Sequence, residues 1–238
     1  MDDVDILSVP TQDLLDDYTW EVWKSKFKDY DGAWLGPPCG TFCPARRFQP
    51  GPRVIRSVEL VLGLKNLSAA EKAEVRCANI LCERALDAAE DFYARGKPVG
   101  LGNPQPRPDE PCVFGFPRYI EFAARPGVFC YDFDQCTVGA GSVKPTRLMC
   151  FFSLALGSFA NKRCGHAAVE HWSWSADKGY SCVVAAHPPL RGKHDGGKWK
   201  TKGAAAYPAA LNAKIAASFA VACEHTRKGG LPSRSPIR

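Results

Sequence analysis

The chain has 238 residues, 45% hydrophobic and 24% charged, with a formal net charge of +6. This is an ordinary globular composition with enough apolar material for one sizeable core, and one domain is the default. A secretory leader and a membrane span are both excluded as expectations. Met1-Asp2-Asp3-Val4-Asp5 is acidic where a leader is basic, and the most apolar run, Leu148 to Leu156, is about half the length a bilayer needs. The eleven cysteines lack a tight repeat. Several, including Cys77, Cys82, Cys130 and Cys150, sit in apolar segments and read as buried thiols of an intracellular protein. Charge is uneven. Residues 1–31 hold nine acidic and three basic residues, and residues 187–238 hold ten Lys/Arg and two acidic ones. The basic end suits either a polyanion partner or a solvated tail.

In chain order, Val4 to Val9 suggests a short strand ended by Pro10. Thr11-Gln12-Asp13 suggests a helix start, with Trp20, Trp23 and Phe27 at helical spacing. Ala33-Trp34-Leu35 reads as a buried strand running into Gly36-Pro37-Pro38-Cys39-Gly40-Thr41-Phe42-Cys43-Pro44-Ala45-Arg46. Two prolines stiffen that turn, and a lone thiol follows at the carboxyl end of the strand, the edge at which open α/β sheets bind ligands. A thiol held on a rigid loop beside Arg46 and Arg47 suits nucleophilic attack on a nucleic-acid base; a buried structural cysteine in a Pro-rich turn is the alternative. Arg46, Arg47, Arg53 and Arg56 cluster past the loop, placed either for phosphates or in a solvated loop.

Ser68 to Arg95 is the clearest helix. Ser68 and Glu71 make a capping-box pair, Val75, Ala78, Cys82, Ala85, Ala89 and Phe92 mark one face, and Gly96 ends it. A strand over Pro98–Leu101 then ends at Gly102-Asn103-Pro104. A short helix over Phe116–Ala124, a strand over Val128–Phe133, a glycine turn at Gly139–Gly141 and a strand over Leu148–Phe152 follow. This order predicts an α/β fold, mostly parallel, with the last two strands as an antiparallel edge pair. Residues 157–206 read as irregular. Their Cys164, His166, Cys182 and His187 suggest zinc only weakly, because the spacing matches no defined finger. Tyr207 to Ala222 reads as an amphipathic helix and 223–238 as a basic, disordered tail.

These loops, in this order, resemble the C5-cytosine DNA methyltransferases, and more closely a divergent protist subgroup associated with mobile elements. The cysteine loop carries most of the likeness. Gly51-Pro52 with Arg56-Ser57, Gly102-Asn103-Pro104, Lys144-Pro145-Thr146-Arg147-Leu148, His187-Pro188-Pro189-Leu190-Arg191-Gly192 and Tyr207-Pro208 add to it. The resemblance spans about residues 5 to 222 and implies one domain over 1–222 with a Rossmann-like, S-adenosylmethionine-dependent methyltransferase fold lacking its N-terminal cofactor-binding strand. It implies methyl transfer to C5 of a flipped-out cytosine, with Cys39 attacking C6. Cys43 stands second as a candidate nucleophile. Pro38, Gly40, Thr41, Asn103, Pro104, Lys144 and Arg147 would contact the substrate, Arg46 and Arg47 the nucleic acid, and Asp13 the S-adenosylmethionine cofactor. No metal is implied. The partner would be DNA rather than RNA, the protein a monomer, off the membrane, intracellular and nuclear if it acts on DNA. Two departures point to a non-catalytic nucleic-acid-binding remnant as the alternative, with a zinc-stabilised interaction module as the third: Gly102 stands where the family carries a base-binding glutamate, and the glycine-rich cofactor turn is missing.

Overall fold

A computed structural model describes residues 9–43, 52–151, 154–175, 179–188 and 207–230, together with positions 2, 4 and 46. The first helix, α1 (Asp17–Lys26), starts later than Thr11-Gln12-Asp13 suggests. Asp16 caps it by accepting Thr19 N at 2.8 Å, while Asp13 accepts Leu15 N at 2.9 Å in the turn ahead of it. The strand expected at Val4–Val9 falls largely on positions 5–8, outside the described residues.

Strand β1 (Ala33–Leu35) is followed by α2 (Ala69–Ala94), β2 (Val99–Pro104), α3 (Pro117–Ala123), β3 (Val128–Asp134) and β4 (Pro145–Phe151). The capping box at Ser68 and Glu71 is present, and Val75, Ala78, Cys82, Leu86, Ala89 and Phe92 are buried along one face of α2. The sheet order is β1-β2-β4-β3. β1 runs parallel to β2, and β4 runs antiparallel to both β2 and β3. The fold is therefore α/β with a mixed sheet. β1, β2 and β3 share a direction, the antiparallel β4–β3 pair lies at one edge, and a single pairing is parallel. β2 extends through Gly102 to Pro104 and β4 starts at Pro145, so both motifs expected as loops are paired, Asn103 opposite Arg147.

The period-2 alternation of β4 divides the interior. Met149 and Phe151 join Leu86, Phe92, Leu101, Phe116, Tyr119 and Phe122 under α2 and α3. Leu148 and Cys150 face Tyr131, Phe133, Leu211 and Ile215 under the last helix, α4 (Ala209–Arg227). Helices thus cover both faces of the sheet. α4 begins two residues after and ends five residues beyond the expected helix, pinned by Arg227, which donates to Asp31 Oδ2 at 2.8 and 3.0 Å. The tail from 231 on lies outside the described residues.

Part of the region expected to be irregular is a separate antiparallel hairpin, β5 (Val169–Ser175) with β6 (Gly179–Ala185). All eleven cysteines are free thiols. Cys82 and Cys150 are buried as expected, whereas Cys77, on the outer face of the amphipathic α2, and Cys130, on the edge strand β3, are exposed. No described helix is long and apolar enough to cross a membrane.

Candidate functional site

Pro37 and Pro38 end β1, and the chain turns into a 3-10 turn, Gly40–Phe42, with Cys39 at its cap. Three contacts hold this loop from below. Phe42 packs into the main core against Phe116, at 5.8 Å between ring centroids. Asn103, buried at the end of β2, donates its amide to the Pro37 carbonyl at 2.7 Å. Arg56 is 1% exposed; its guanidinium donates to Thr41 Oγ1 at 3.0 Å, Val61 O at 2.5 Å and Val75 O at 3.3 Å, and lies 4.1 Å over the Phe42 ring. The thiol therefore rests on a fully bonded polar base instead of a mobile loop.

Lys144, entering β4, is the cation nearest in effect to the thiol. Burial pushes the Cys39 thiol up, the Lys144 ammonium pulls it back, and Cys43 adds to the rise. Burial also pushes the Lys144 ammonium down. Lys144 has φ 30°, a conformation that costs a non-glycine residue. Its carbonyl accepts Thr146 Oγ1 at 3.0 Å and Gln135 N at 3.4 Å, which hold the backbone there.

Tyr207 closes the site. Its ring lies 5.8 Å from Lys144 Nζ. A Cβ added at Gly102 would overlap the Tyr207 hydroxyl and lie 3.0 Å from Tyr207 Cζ and 3.3 Å from Leu148 Cδ2. The space that a glutamate side chain would enter is thus filled by a phenol, whose own ionisation burial pushes up. Tyr207-Pro208 is legible as a motif, but its contact with position 102 is not. Only the missing side chain at Gly102 hints that something else occupies the room.

No family model matches this chain, and no curated protein or solved structure matches it either. The site is therefore read from its own geometry.

Cys39, Asn103 and Lys144 converge at the carboxyl ends of β1 and β2, with Gly40, Thr41, Pro38 and Pro104 forming the backbone around them. Arg147 is engaged elsewhere: it makes a two-pronged ion pair with its cross-strand partner Asp132, at 2.7 Å on both arms. Arg46 braces the loop, donating to Gly40 O at 3.0 Å and Arg53 O at 3.1 Å and pairing with Glu74. Arg53 holds Asn66 and Glu71. Arg47 lies outside the described residues. The described arginines past the loop, Arg46, Arg53 and Arg56, are thus engaged by the protein's own acceptors.

Neither the residue expected to meet S-adenosylmethionine nor the cleft beside the cysteine loop shows a cofactor-sized site. Asp13 spends a carboxylate oxygen on Leu15 N. The cleft lined by Thr41, Phe42, Cys43, Arg46, Val54 and Glu110 offers about 10 Å³, room for one water and far below the ~300 Å³ at which ligand pockets begin. Of the expected zinc ligands, Cys164, His166 and His187 lie together, but Cys182 sits in mid-strand on β6 opposite Trp172, exposed. Cys136, from the turn after β3, stands in its place.

Proposed function

We propose that this chain is a C5-cytosine methyltransferase-like protein of the Rossmann-like class that presents Cys39 to a flipped-out cytosine of DNA. The observation that carries the reading is the thiol at the carboxyl end of β1, held over a buried base, with the Lys144 ammonium offsetting part of the rise that burial gives it.

Cys39 acts by losing its proton and forming an Sγ–C6 bond. The electron pair of the C5=C6 bond moves to C5, which takes a proton, and reversal expels the thiolate. A base inside a duplex is out of reach, so it must leave the stack first. Lys144 lowers the cost of the thiolate, Asn103 fixes the loop through Pro37, and the Tyr207 hydroxyl, kept protonated by burial, is a hydrogen-bond donor at the position the family gives to a glutamate. Asp13, the one cofactor residue the resemblance supplies, already spends a carboxylate oxygen on Leu15 N.

That last point, with Tyr207 filling position 102, favours a second reading: a relative that binds nucleic acid through its basic C-terminal half without transferring a group. On either reading the partner is DNA, and the place of action is the nucleus. Incubation with duplex DNA containing 5-fluorocytosine and S-adenosylmethionine separates them. A denaturant-resistant complex that disappears in Cys39→Ser supports the nucleophile. No complex with the wild-type chain rules out a Cys39 adduct that goes on to methyl transfer, and duplex binding that weakens linearly in log–log salt then selects the second reading. Absence of any salt-dependent duplex binding removes both.

A further inference from the structure

We propose that Cys136, Cys164, His166 and His187 bind one zinc ion, and that this ion clasps the β5–β6 hairpin to the edge of the main sheet. The inference is independent of the chemistry at Cys39.

The four ligand atoms all lie within 4.8 Å of one another. Cys164 Sγ is 3.4 Å from His166 Nδ1, and His166 Nδ1 is 3.2 Å from His187 Nε2. A tetrahedral zinc with Zn–S of about 2.3 Å and Zn–N of about 2.0–2.1 Å sets ligand–ligand edges of roughly 3.3–3.8 Å. Two edges, Cys164–His166 and His166–His187, are of about that size, and the full set spreads to 4.8 Å, a slightly open form of the same arrangement.

Hydrogen bonding does not account for the cluster as well as an ion does. His187 Nδ1 lies 3.2 Å from the Gly141 carbonyl, which accepts only if Nδ1 carries the proton. The neutral ring then turns a lone pair on Nε2 toward His166 Nδ1. That nitrogen would have to donate to Nε2 and serve Cys164 Sγ as well, from one ring position. A cation shared by the lone pairs satisfies all of them. The Gly141 contact is also the outer-shell hydrogen bond that fixes the tautomer and orientation of a metal-bound histidine. A donor set of two thiolates and two imidazoles favours zinc. A spread this small holds one ion, not a two-iron cluster. With four protein ligands the shell is closed to water, so the role is structural.

The backbone around the cluster is built to bring these residues together. The segment after residue 160 runs along the outer edge of β3: Asn161 N donates to Asp132 O at 2.6 Å, and Asp134 N to Lys162 O at 2.9 Å. Cys164 N then donates to Asp134 Oδ2 at 2.8 Å. That sets Cys164 beside Cys136, which the 3-10 turn Gln135–Val138 places just past the end of β3. Gln135 anchors this turn by donating its side-chain amide to Thr146 Oγ1 at 2.9 Å. His166 precedes β5 and His187 follows β6, so two of the ligands are the two feet of the hairpin. A two-stranded ribbon is marginal alone in water, and this one forms a sheet of its own. An ion gripping both feet supplies the missing anchor.

Metal analysis of the full chain, purified without chelator and dialysed against trace zinc, tests this. One zinc per chain is expected, retained in Cys182→Ser and reduced about tenfold or more in Cys136→Ser and Cys164→Ser. Because a ligand variant can fail to fold, cobalt exchange into the wild-type chain gives a second readout: tetrahedral d–d absorption with a thiolate-to-cobalt band is expected. Less than a tenth of an equivalent of zinc after loading would overturn the proposal, as would a Cys136–Cys164 disulfide in the freshly purified protein. Zinc lost in Cys182→Ser but kept in Cys136→Ser would do the same.

Discussion

Two cysteine sites lie on the same sheet and are built in opposite ways. At Cys39, one thiol is isolated on a contiguous, proline-stiffened loop. Thr41 and Asn103 beneath the loop are bonded to Arg56 and the Pro37 carbonyl, and burial and the Lys144 ammonium act on the thiol in opposite directions. At Cys136, four ligand atoms from three segments of the chain lie within 4.8 Å of one another. A nucleophile needs a thiolate with no competing partner, whereas a metal site needs several groups whose only common partner is a cation. The difference teaches that a free cysteine's neighbours, more than its exposure, decide its chemistry.

The largest expected effect is on the metal side. Chelation should leave the main sheet folded while β5 and β6 lose all measurable amide-exchange protection, because the hairpin's feet are released. Protection that survives chelation would break the comparison. Next, Arg56→Met should cost about 2–4 kcal/mol in urea unfolding, since Thr41 Oγ1 and the carbonyls of Val61 and Val75 lose their donor in a buried site. Cys39 alkylation should quicken as the loop loosens, with zinc content unchanged. Gly102→Ala should cost about 1–3 kcal/mol because its methyl meets the Tyr207 hydroxyl. Adding Tyr207→Ala should recover part of that loss, and a cost that stays the same in the double variant would deny the contact.

The smallest effect concerns acidity. Burial raises the Cys39 thiol and Lys144 lowers it, so the net pKa lies above that of a free cysteine and alkylation should keep rising with pH past the ordinary thiol range. Lys144→Met removes the term that favours the thiolate. The pKa rises further, and alkylation at fixed pH near 8 slows by roughly three- to tenfold. Faster alkylation in that variant would mean that Lys144 does not act on the thiol.

How much of this was legible in the sequence follows the same contrast. Local signals translated well. Ser68 and Glu71 announce α2, and the stop after Leu35 announces the cysteine loop, because caps and turns are written within a few adjacent residues. Gly102-Asn103-Pro104 read as a loop but is paired strand, since Pro104 is the last residue of β2, where a missing N–H is tolerated. The β5–β6 hairpin was obscured by its cysteine and histidines, which drew attention to ligand spacing and away from the alternation of Trp172 and Trp174 along β5. Cys136 lies far from Cys164 in the chain, so only the run of 161–164 along β3 brings it into the cluster. The roles of Arg46 and Arg147 were hidden for the same reason: their partners Glu74 and Asp132 are not sequence neighbours.

Cysteine-by-cysteine alkylation followed by mass spectrometry, with and without prior chelation, reads both sites at once. The expected result is that Cys136 and Cys164 are protected in the zinc-loaded chain and label after chelation, while Cys39 labels in both, faster as pH rises and more slowly in Lys144→Met. Equal labelling of Cys136 and Cys164 before and after chelation, or a Cys39 that stays inert at every pH, would contradict the assignment of one thiol to chemistry and two to a metal.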